Sequence, residues 1–206
     1  MKAYIYVGGT VDTARITEHP KGDDLLIAAD GGWHNAVALG ERPTLLLGDF
    51  DSFGKEQLPE SVEILRVPAE KDLTDTQLAV DTALSRGARE IVIIGGLSGR
   101  LDHTLSNLAI LEHLDALGVR ALISDGCNRV RFLRNGSTLL PRGAYRYVAL
   151  IAADEVVRGV EIDGVKYPLK KAKLSRRYQY AVSNEITGNC AFIAVKKGGI
   201  FIVESN

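Results

Sequence analysis

Residues 90–117 read EIVIIGGLSGRLDHTLSNLAILEHLDAL, and this stretch decides the fold. The apolar run 90–94 is short and rich in isoleucine, which is typical of a buried strand. A glycine-rich loop follows, and beyond it leucine recurs every three residues from Leu105 to Leu117, which predicts a helix over residues 102–117. A strand that runs through a glycine loop into a helix is half of a βαβ unit, so we expect a mostly parallel sheet covered by helices.

The rest of the first 126 residues repeats this alternation. Further helices are predicted at 33–39 and 74–86, and each predicted strand is followed by glycine, aspartate or both. The carboxyl ends of parallel strands meet at one edge of an open sheet, where ligands bind. We therefore expect an acidic, glycine-rich edge that suits a metal and a phosphate ligand. The predicted strands are residues 3–7, 24–29, 44–47, 62–67, 90–94 and 120–124.

After about residue 128 the helical period disappears, and short β-like runs alternate with turns such as Asp163-Gly164. This pattern predicts a small all-β sandwich. The basic run from Lys170 to Arg177 is predicted to be a hairpin or loop, as either a solvated face or a rim that attracts a triphosphate. The expected domains are 1–127, an α/β nucleotide and Mg²⁺ domain, and 128–206, a β sandwich. The predicted strands are 130–133, 145–152, 156–162, 165–169, 178–182, 190–195 and 199–203.

Composition narrows the class of protein. The net charge of −1 argues against a nucleic-acid binder, which would normally be basic. We expect no membrane partner, because no apolar run approaches the length needed to span a bilayer. Cys127 and Cys190 are the only cysteines and lack metal-ligand spacing, so a reducing, cytoplasmic location is expected.

Gly48-Asp49-Phe50-Asp51-Ser52 follows an apolar strand and places two carboxylates at positions i and i+2. Mg²⁺ takes oxygen ligands and commonly binds one or two carboxylates together with substrate phosphates. The alternative is an aspartate-rich turn in which Asp51 and Ser52 cap a short helix.

A second acidic motif, Lys71-Asp72-Leu73-Thr74-Asp75, opens the helix predicted over residues 74–86. Thr74 and Gln77 have the spacing of a capping box, so Thr74 is predicted to be the N-cap, and Asp75 also suits the helix dipole. Capping explains Asp72 less well. A second acidic pair at another strand end strengthens the metal interpretation, and Lys71 then offsets the acid density or touches phosphate.

The loop 95–103 places glycines, Arg100, Asp102 and His103 at the start of a helix. Backbone N–H groups in such loops favour anions, and arginine adds a fork-shaped phosphate donor. The structural alternative is a glycine turn with Asp102 as the N-cap and His103 at the surface.

Five motifs together resemble the thiamine pyrophosphokinase family, and they cover nearly the whole chain. The resemblance implies an α/β catalytic domain, a β-sandwich domain that binds thiamine, and homodimers with active sites at the subunit interface. It also implies a reaction in which the thiamine hydroxyl attacks the β-phosphorus of ATP and AMP leaves. The motifs are Ala29-Asp30-Gly31-Gly32, GDFDS at 48–52, KDLTD at 71–75, GRLDH at 99–103 and Ser183-Asn184-Glu185.

The resemblance also assigns residues to the reaction. By similarity, Asp49, Asp51 and Asp75 match the family's Mg²⁺-binding aspartates, and Asp72 lies beside them. Asp102 matches a position near the thiamine and the reacting centre, and Asp75 or Asp102 is the candidate acceptor of the hydroxyl proton. The resemblance places the catalytic machinery at Asp49, Asp51, Asp72, Asp75, Arg100 and Asp102.

The substrate sites follow in the same way. Ser183 and Asn184 match the β-domain segment that holds the thiamine pyrimidine, supplied across the dimer, with Asp102 near the same substrate. Some members carry a tryptophan near the thiamine where this chain has none, and Tyr167 falls near that segment. The expected ATP-binding residues are Asp30, Gly31, Gly32, Lys71, Gly99, Arg100 and His103.

Two other functions stay open at this stage. One keeps the chemistry and changes the acceptor, for example to a pterin alcohol. The other is a non-catalytic protein that binds thiamine diphosphate or a nucleotide. The density of carboxylates at positions 49, 51, 72 and 75 argues against this non-catalytic protein, because binding alone needs no such metal site.

Overall fold

The computed structural model describes residues 1–48, 62–66 and 73–206. These residues form two compact units, Met1–Gly126 and Cys127–Asn206. Four of the predicted site residues lie outside the described residues: Asp49, Asp51, Lys71 and Asp72.

The part of the first unit that the structure describes contains six strands: β1 (Lys2–Tyr6), β2 (Leu25–Ala29), β3 (Leu45–Gly48), β4 (Glu63–Arg66), β5 (Glu90–Ile94) and β6 (Arg120–Ser124). They form a parallel sheet in the order β4-β3-β2-β1-β5-β6. β1 and β5 at its centre are almost entirely apolar and buried, as expected for parallel strands covered on both faces. The predicted parallel α/β fold is confirmed.

The helices described in this unit are α1 (Gly32–Ala38), α2 (Asp75–Ser85) and α3 (Leu101–Ala116). Thr74 is the N-cap of α2, as predicted, because its hydroxyl accepts a hydrogen bond from the Gln77 backbone N–H at 3.2 Å. The Gln77 side chain donates to Asp81 instead of returning to the cap, so only half of the capping box forms. Among the described residues, no helix is both long enough and apolar enough to cross a membrane.

The three-residue leucine repeat does not define the buried face of α3. The helix buries Asn107, Ile110, Leu111 and Leu114, whereas Leu105 is 58% exposed and Leu117 is 54% exposed. An α-helix has about 3.6 residues per turn, so positions three apart drift around its surface. The helix was predicted correctly, but the leucine repeat that predicts it begins and ends on exposed residues.

The second unit contains β7 (Asn128–Arg134), β8 (Ser137–Pro141), β9 (Tyr147–Ala152), β10 (Val156–Asp163), β11 (Leu169–Ser175), β12 (Cys190–Lys197) and β13 (Gly199–Ser205). One antiparallel set has the order β7-β13-β9, and the other has the order β11-β10-β12-β8. Leu150 and Ile202 from the first set share a core with Val160, Leu174 and Ile193 from the second. The predicted sandwich is therefore confirmed.

Four local predictions in the second unit were wrong. β8 was missed, residues 165–169 do not form a strand except at Leu169, and the basic run begins in β11 instead of a hairpin or loop. In β11, Lys173 is exposed and Leu174 is buried, which is ordinary strand alternation concealed by the lysines. Residues 178–182 lie against β9 without forming a strand, and the Ala181 carbonyl accepts from the Leu150 N–H at 2.8 Å.

An ion pair fastens one end of the second unit. Arg134 donates to both oxygens of Asp154, at 2.9 and 3.1 Å, and the Gly199 N–H donates to the same carboxylate at 2.9 Å. These hydrogen bonds, with Arg134 as the main cause, hold the pKa of Asp154 below its ordinary value. The pair joins β7, the start of β13 and the residues after β9.

We expect Asp154→Asn to lower the free energy of unfolding by about 1 kcal/mol at neutral pH, a modest value because both side chains are partly exposed. Folding depresses this pKa, so the stabilisation is present above the ordinary value of 3.8 and is lost as the pH falls through the folded value. Urea titrations of both proteins should show the difference near pH 7 and lose it in strong acid. A difference of equal size at both pH values would contradict this.

Candidate functional site

The strand order reverses between β1 and β5. From β1 the chain adds β2, β3 and β4 on one side, and it then returns to add β5 and β6 on the other. In open α/β sheets the crevice outside such a reversal is where ligands bind. The loops that follow β1, β2 and β5 are the glycine-rich segments singled out from the sequence, and all three leave the sheet at this carboxyl edge.

The loop after β2 is tightly packed. A Cβ atom on Gly32 would overlap the carbonyl oxygen of Tyr6, so only glycine lets α1 begin against the end of β1. Asp30 has φ +47°, in the left-handed region that few non-glycine residues adopt, and its N–H donates to the Leu47 carbonyl at 2.8 Å. Strained backbone of this kind clusters at functional sites. Asp30 directly follows β2, the neighbour of β1, and so lies at the carboxyl edge of the sheet beside the crevice.

An asparagine on α1 holds the loop after β1. Asn35 donates from Nδ2 to the carbonyl oxygens of Val7, at 2.7 Å, and Gly9, at 3.0 Å. The carbonyl of Gly8, between them, accepts from the N–H of Gly96 at 3.0 Å. Three consecutive carbonyls of this turn are therefore fixed by hydrogen bonds.

A second asparagine holds the loop after β5. Asn107 on α3 is buried and donates from Nδ2 to the Gly96 carbonyl at 2.9 Å. The two loops are also joined directly, because Ser98 Oγ accepts from the Thr10 N–H at 2.7 Å. Sequence reasoning missed both Asn35 and Asn107. The available signal was a polar residue, Asn107, within the apolar sequence of α3.

Arg100 and Asp102 form an exposed, bidentate ion pair at the start of α3. Arg100 Nε lies 3.1 Å from Asp102 Oδ1, and Nη2 lies 2.6 Å from Oδ2. These bonds lower the pKa of the Asp102 carboxyl, and the His103 N–H adds a weaker contribution by donating to Oδ1. The alternative in which Asp102 is the N-cap is wrong, since Arg100 occupies that position without a side-chain cap. His103 is exposed.

Asp75 is the only member of the predicted Mg²⁺ set that lies within the described residues. It occupies the first turn of α2 and is half-buried. Within residues 1–48, 62–66 and 73–206, no three acidic, histidine or cysteine side chains come together as a metal centre. A carboxylate at a helix start is a chemically suitable Mg²⁺ ligand.

Ser183 and Asn184, in the second unit, differ sharply in environment. Ser183 is exposed and has φ +56°, a left-handed conformation unusual for serine. Asn184 is buried, and its backbone exchanges two hydrogen bonds with Val148, at 2.8 and 3.0 Å. Its side chain accepts from the N–H groups of Tyr167 and Glu185 and donates to the Tyr167 carbonyl. The Asn184 amide thus holds the Tyr167 backbone in place.

The side chain of Tyr167, whose backbone Asn184 holds, is open to solvent. Tyr167 is 60% exposed, and the Lys166 ammonium lies 5.5 Å from its ring centre. Lys166 in turn forms an ion pair with Glu185 at 3.4 Å. An exposed aromatic face on a loop held this firmly can stack on a cationic ring.

Comparisons with known proteins agree with the two-unit architecture. A family model described as "Thiamin pyrophosphokinase, catalytic domain" matches residues 18–123. A second, "Thiamin pyrophosphokinase, vitamin B1 binding domain", matches residues 137–200. Among curated proteins, the thiamine pyrophosphokinase of Bacillus subtilis is 28% identical over 186 residues, which are 88% of this chain and 87% of that protein.

Solved structures show the same fold. The crystal structure of the Bacillus subtilis thiamine pyrophosphokinase matches with a TM-score of 0.90 and 24% identity, covering 100% of this chain and 99% of that one. The thiamin pyrophosphokinase of Geobacillus thermodenitrificans matches with a TM-score of 0.85 and 28% identity, covering 100% and 98%.

Proposed function

Because the chain belongs to the thiamine pyrophosphokinase family, we propose that it transfers the pyrophosphoryl group of ATP to the hydroxyl of thiamine, giving thiamine diphosphate and AMP. One observation carries the proposal: the catalytic and vitamin B1 binding models match successive parts of the chain, and these fall in its α/β and all-β units. The first unit is assigned to ATP and Mg²⁺, and the second to thiamine.

Arg100 is the clearest phosphate ligand in this proposal. Its guanidinium is exposed and already arranged as a bidentate donor, although Asp102 occupies it in this structure. An arriving phosphate competes for the same donors, and its greater negative charge favours the exchange. The exchange releases Asp102 toward the acceptor. The remaining proposed ATP contacts are Asp30, Gly31, Gly32, Lys71, Gly99 and His103.

In this proposal Asp49, Asp51 and Asp75 hold Mg²⁺, with Asp72 beside them. The ion would neutralise the charge of the phosphate chain, the main requirement of a loose phosphoryl-transfer transition state. Such a transition state needs little help from a general base.

Thiamine is assigned to the segment of Ser183 and Asn184. Ser183 offers an exposed hydroxyl, and Asn184 contributes by holding Tyr167, whose ring stacks on the cationic thiazolium.

The site is completed by a second copy of the chain in a homodimer. Exposed Leu101 and Leu105, next to Arg100 on α3, are side chains that a subunit interface would cover. We propose that the enzyme works in the cytoplasm.

We expect Ser183→Ala to raise the KM for thiamine about tenfold and to leave the KM for ATP unchanged, since one hydrogen bond to the substrate is lost. Steady-state kinetics with each substrate varied in turn measures both constants. Thr187→Ser serves as the control, because Thr187 lies nearby but its hydroxyl bonds the Gly164 carbonyl and serine retains that group. If Ser183→Ala changed only the KM for ATP, the assignment of Ser183 to the thiamine pocket would be wrong.

The proposed activity is tested by AMP release from ATP and Mg²⁺, measured with thiamine, with a pterin alcohol and with no acceptor. AMP that depends on thiamine supports the proposal. AMP formed only with another alcohol keeps the reaction and rejects the acceptor. Binding of thiamine diphosphate or nucleotide without AMP formation under any condition indicates the non-catalytic alternative.

A further inference from the structure

Gly8, the second residue after β1, is a glycine that the protein's own structure does not require. Its φ lies outside the left-handed region, so an L-residue can adopt its conformation. A Cβ atom added there would meet nothing within 4 Å. Its neighbours differ: Gly9 has φ +101°, and its Cβ would lie 2.9 Å from Ser98 Oγ. Gly95 has φ +99°, and its Cβ would lie 2.6 Å from the Val7 carbonyl oxygen.

Flexibility does not explain Gly8 either. The carbonyls of Val7, Gly8 and Gly9 all accept hydrogen bonds, two of them from the single amide of Asn35. The next residue, Thr10, is fixed through its N–H to Ser98. A glycine in a turn held this closely contributes no useful mobility. What remains is the room left by its missing side chain.

That room lies beside the crevice between β1 and β5, where the strand order reverses. We propose that the nucleotide packs directly against the backbone of Gly8, and that Asn35 is a positioning residue that holds the turn in the shape the nucleotide needs. This inference rests on the proposed function. Gly8 sets how closely the nucleotide approaches the sheet, and Asn35 acts through Gly8 without touching the substrate.

The test compares Gly8→Ala with Gly188→Ala. Gly188 is a matched control, because a Cβ there also meets nothing within 4 Å and its φ also lies outside the left-handed region, but it belongs to a turn of the second unit. Alanine at such positions restricts the unfolded chain, so both variants should melt at or slightly above the wild-type temperature. The melting temperature is therefore not expected to distinguish Gly8→Ala from Gly188→Ala.

The kinetic constants should distinguish them. Gly8→Ala is expected to raise the KM for ATP and the Kd for AMP about tenfold to a hundredfold, because a methyl group displaces the bound nucleotide by about 1 Å or more. The KM for thiamine and all constants of Gly188→Ala should stay at wild-type values. AMP binding is measured by calorimetry on the whole protein without thiamine.

Asn35→Asp tests the positioning role. The carboxylate keeps the size of the amide but faces the two carbonyl oxygens with no donor, so the turn should open. We expect the KM for ATP to rise about tenfold, with the KM for thiamine unchanged. Asn189→Asp makes the same change of charge at an exposed residue and should be neutral. A merely structural role for Asn35 would change stability without this split between the two substrates.

Wild-type nucleotide constants for Gly8→Ala, in a protein with wild-type melting temperature, would overturn the inference. That outcome differs from a failure of the proposed function, in which the wild-type enzyme forms no AMP with thiamine. Even then AMP binding can still be compared between Gly8→Ala and Gly188→Ala. Equal weakening in both variants would also overturn the inference.

Discussion

Asp75→Asn is expected to lower kcat about a hundredfold to a thousandfold, the size of effect seen when a charge-stabilising group is removed from a transition state. Asparagine keeps the shape of the side chain but removes the negative charge that a Mg²⁺ ligand supplies. The Thr74 cap on the same helix is untouched. Loss of a carboxylate from the first turn should cost only about 0.3–1 kcal/mol of stability. Initial rates of AMP formation at saturating ATP and thiamine measure the effect.

Asp81→Asn is the matched control for this experiment. Asp81 lies on the same helix, and its Oδ1 accepts a hydrogen bond from Gln77 Nε2 that an asparagine oxygen can also accept. Its kcat should stay within about twofold of wild type, since surface changes away from special features have small effects. A fully active Asp75→Asn enzyme with normal Mg²⁺ dependence would remove Asp75 from the metal site.

Gly32→Ala is expected to destabilise the first unit by more than about 4 kcal/mol, or to prevent folding. The added methyl group would overlap the Tyr6 carbonyl oxygen at the end of β1. This oxygen belongs to the backbone of a strand paired on both sides, so it cannot move aside as a flexible side chain does. Either α1 or β1 must therefore shift. Thermal and urea unfolding of the purified variant, or its recovery in the soluble fraction, measures the loss.

Gly188→Ala again provides the control, because the same substitution in open space should leave the unfolding free energy unchanged or slightly higher. If Gly32→Ala unfolds at the wild-type denaturant concentration, α1 does not begin against β1 as the structure shows. The packing that places Asp30 at the crevice edge would then need revision.

The α/β half of the fold could be predicted because buried parallel strands are marked by continuous apolar runs. β5 and β6 have the predicted limits, and β1, β2 and β3 differ by one residue at one or both ends. The β half was harder to predict. In β11, lysines conceal the alternation that Leu174 completes, and the ribbon 178–182 resembles a strand because its tyrosines alternate. Whether such a segment forms a β-strand depends on its pairing with an adjacent strand, and local sequence does not specify that pairing.

The candidate site, like the fold, could be predicted from the sequence only in part. Carboxylates and glycines after strand ends were visible in the sequence, because the sheet edge concentrates them. The part that Asn35, Asn107 and Asn184 play in holding loops was not predicted, since each amide donates to backbone carbonyls of a distant segment. Asparagine is common in turns and at helix ends for local reasons. Only the tertiary fold reveals that these amides hold the loops on which the proposed ligands would rest.

The most direct test of the central claim follows the β-phosphate of ATP. ATP labelled at the β-phosphorus is incubated with the enzyme, Mg²⁺ and thiamine, and the products are separated. Transfer of an intact pyrophosphoryl group predicts that the label enters thiamine diphosphate, with AMP formed in equal amount and no ADP. Label recovered in ADP beside thiamine monophosphate, or in free pyrophosphate with thiamine unchanged, would contradict the proposed reaction.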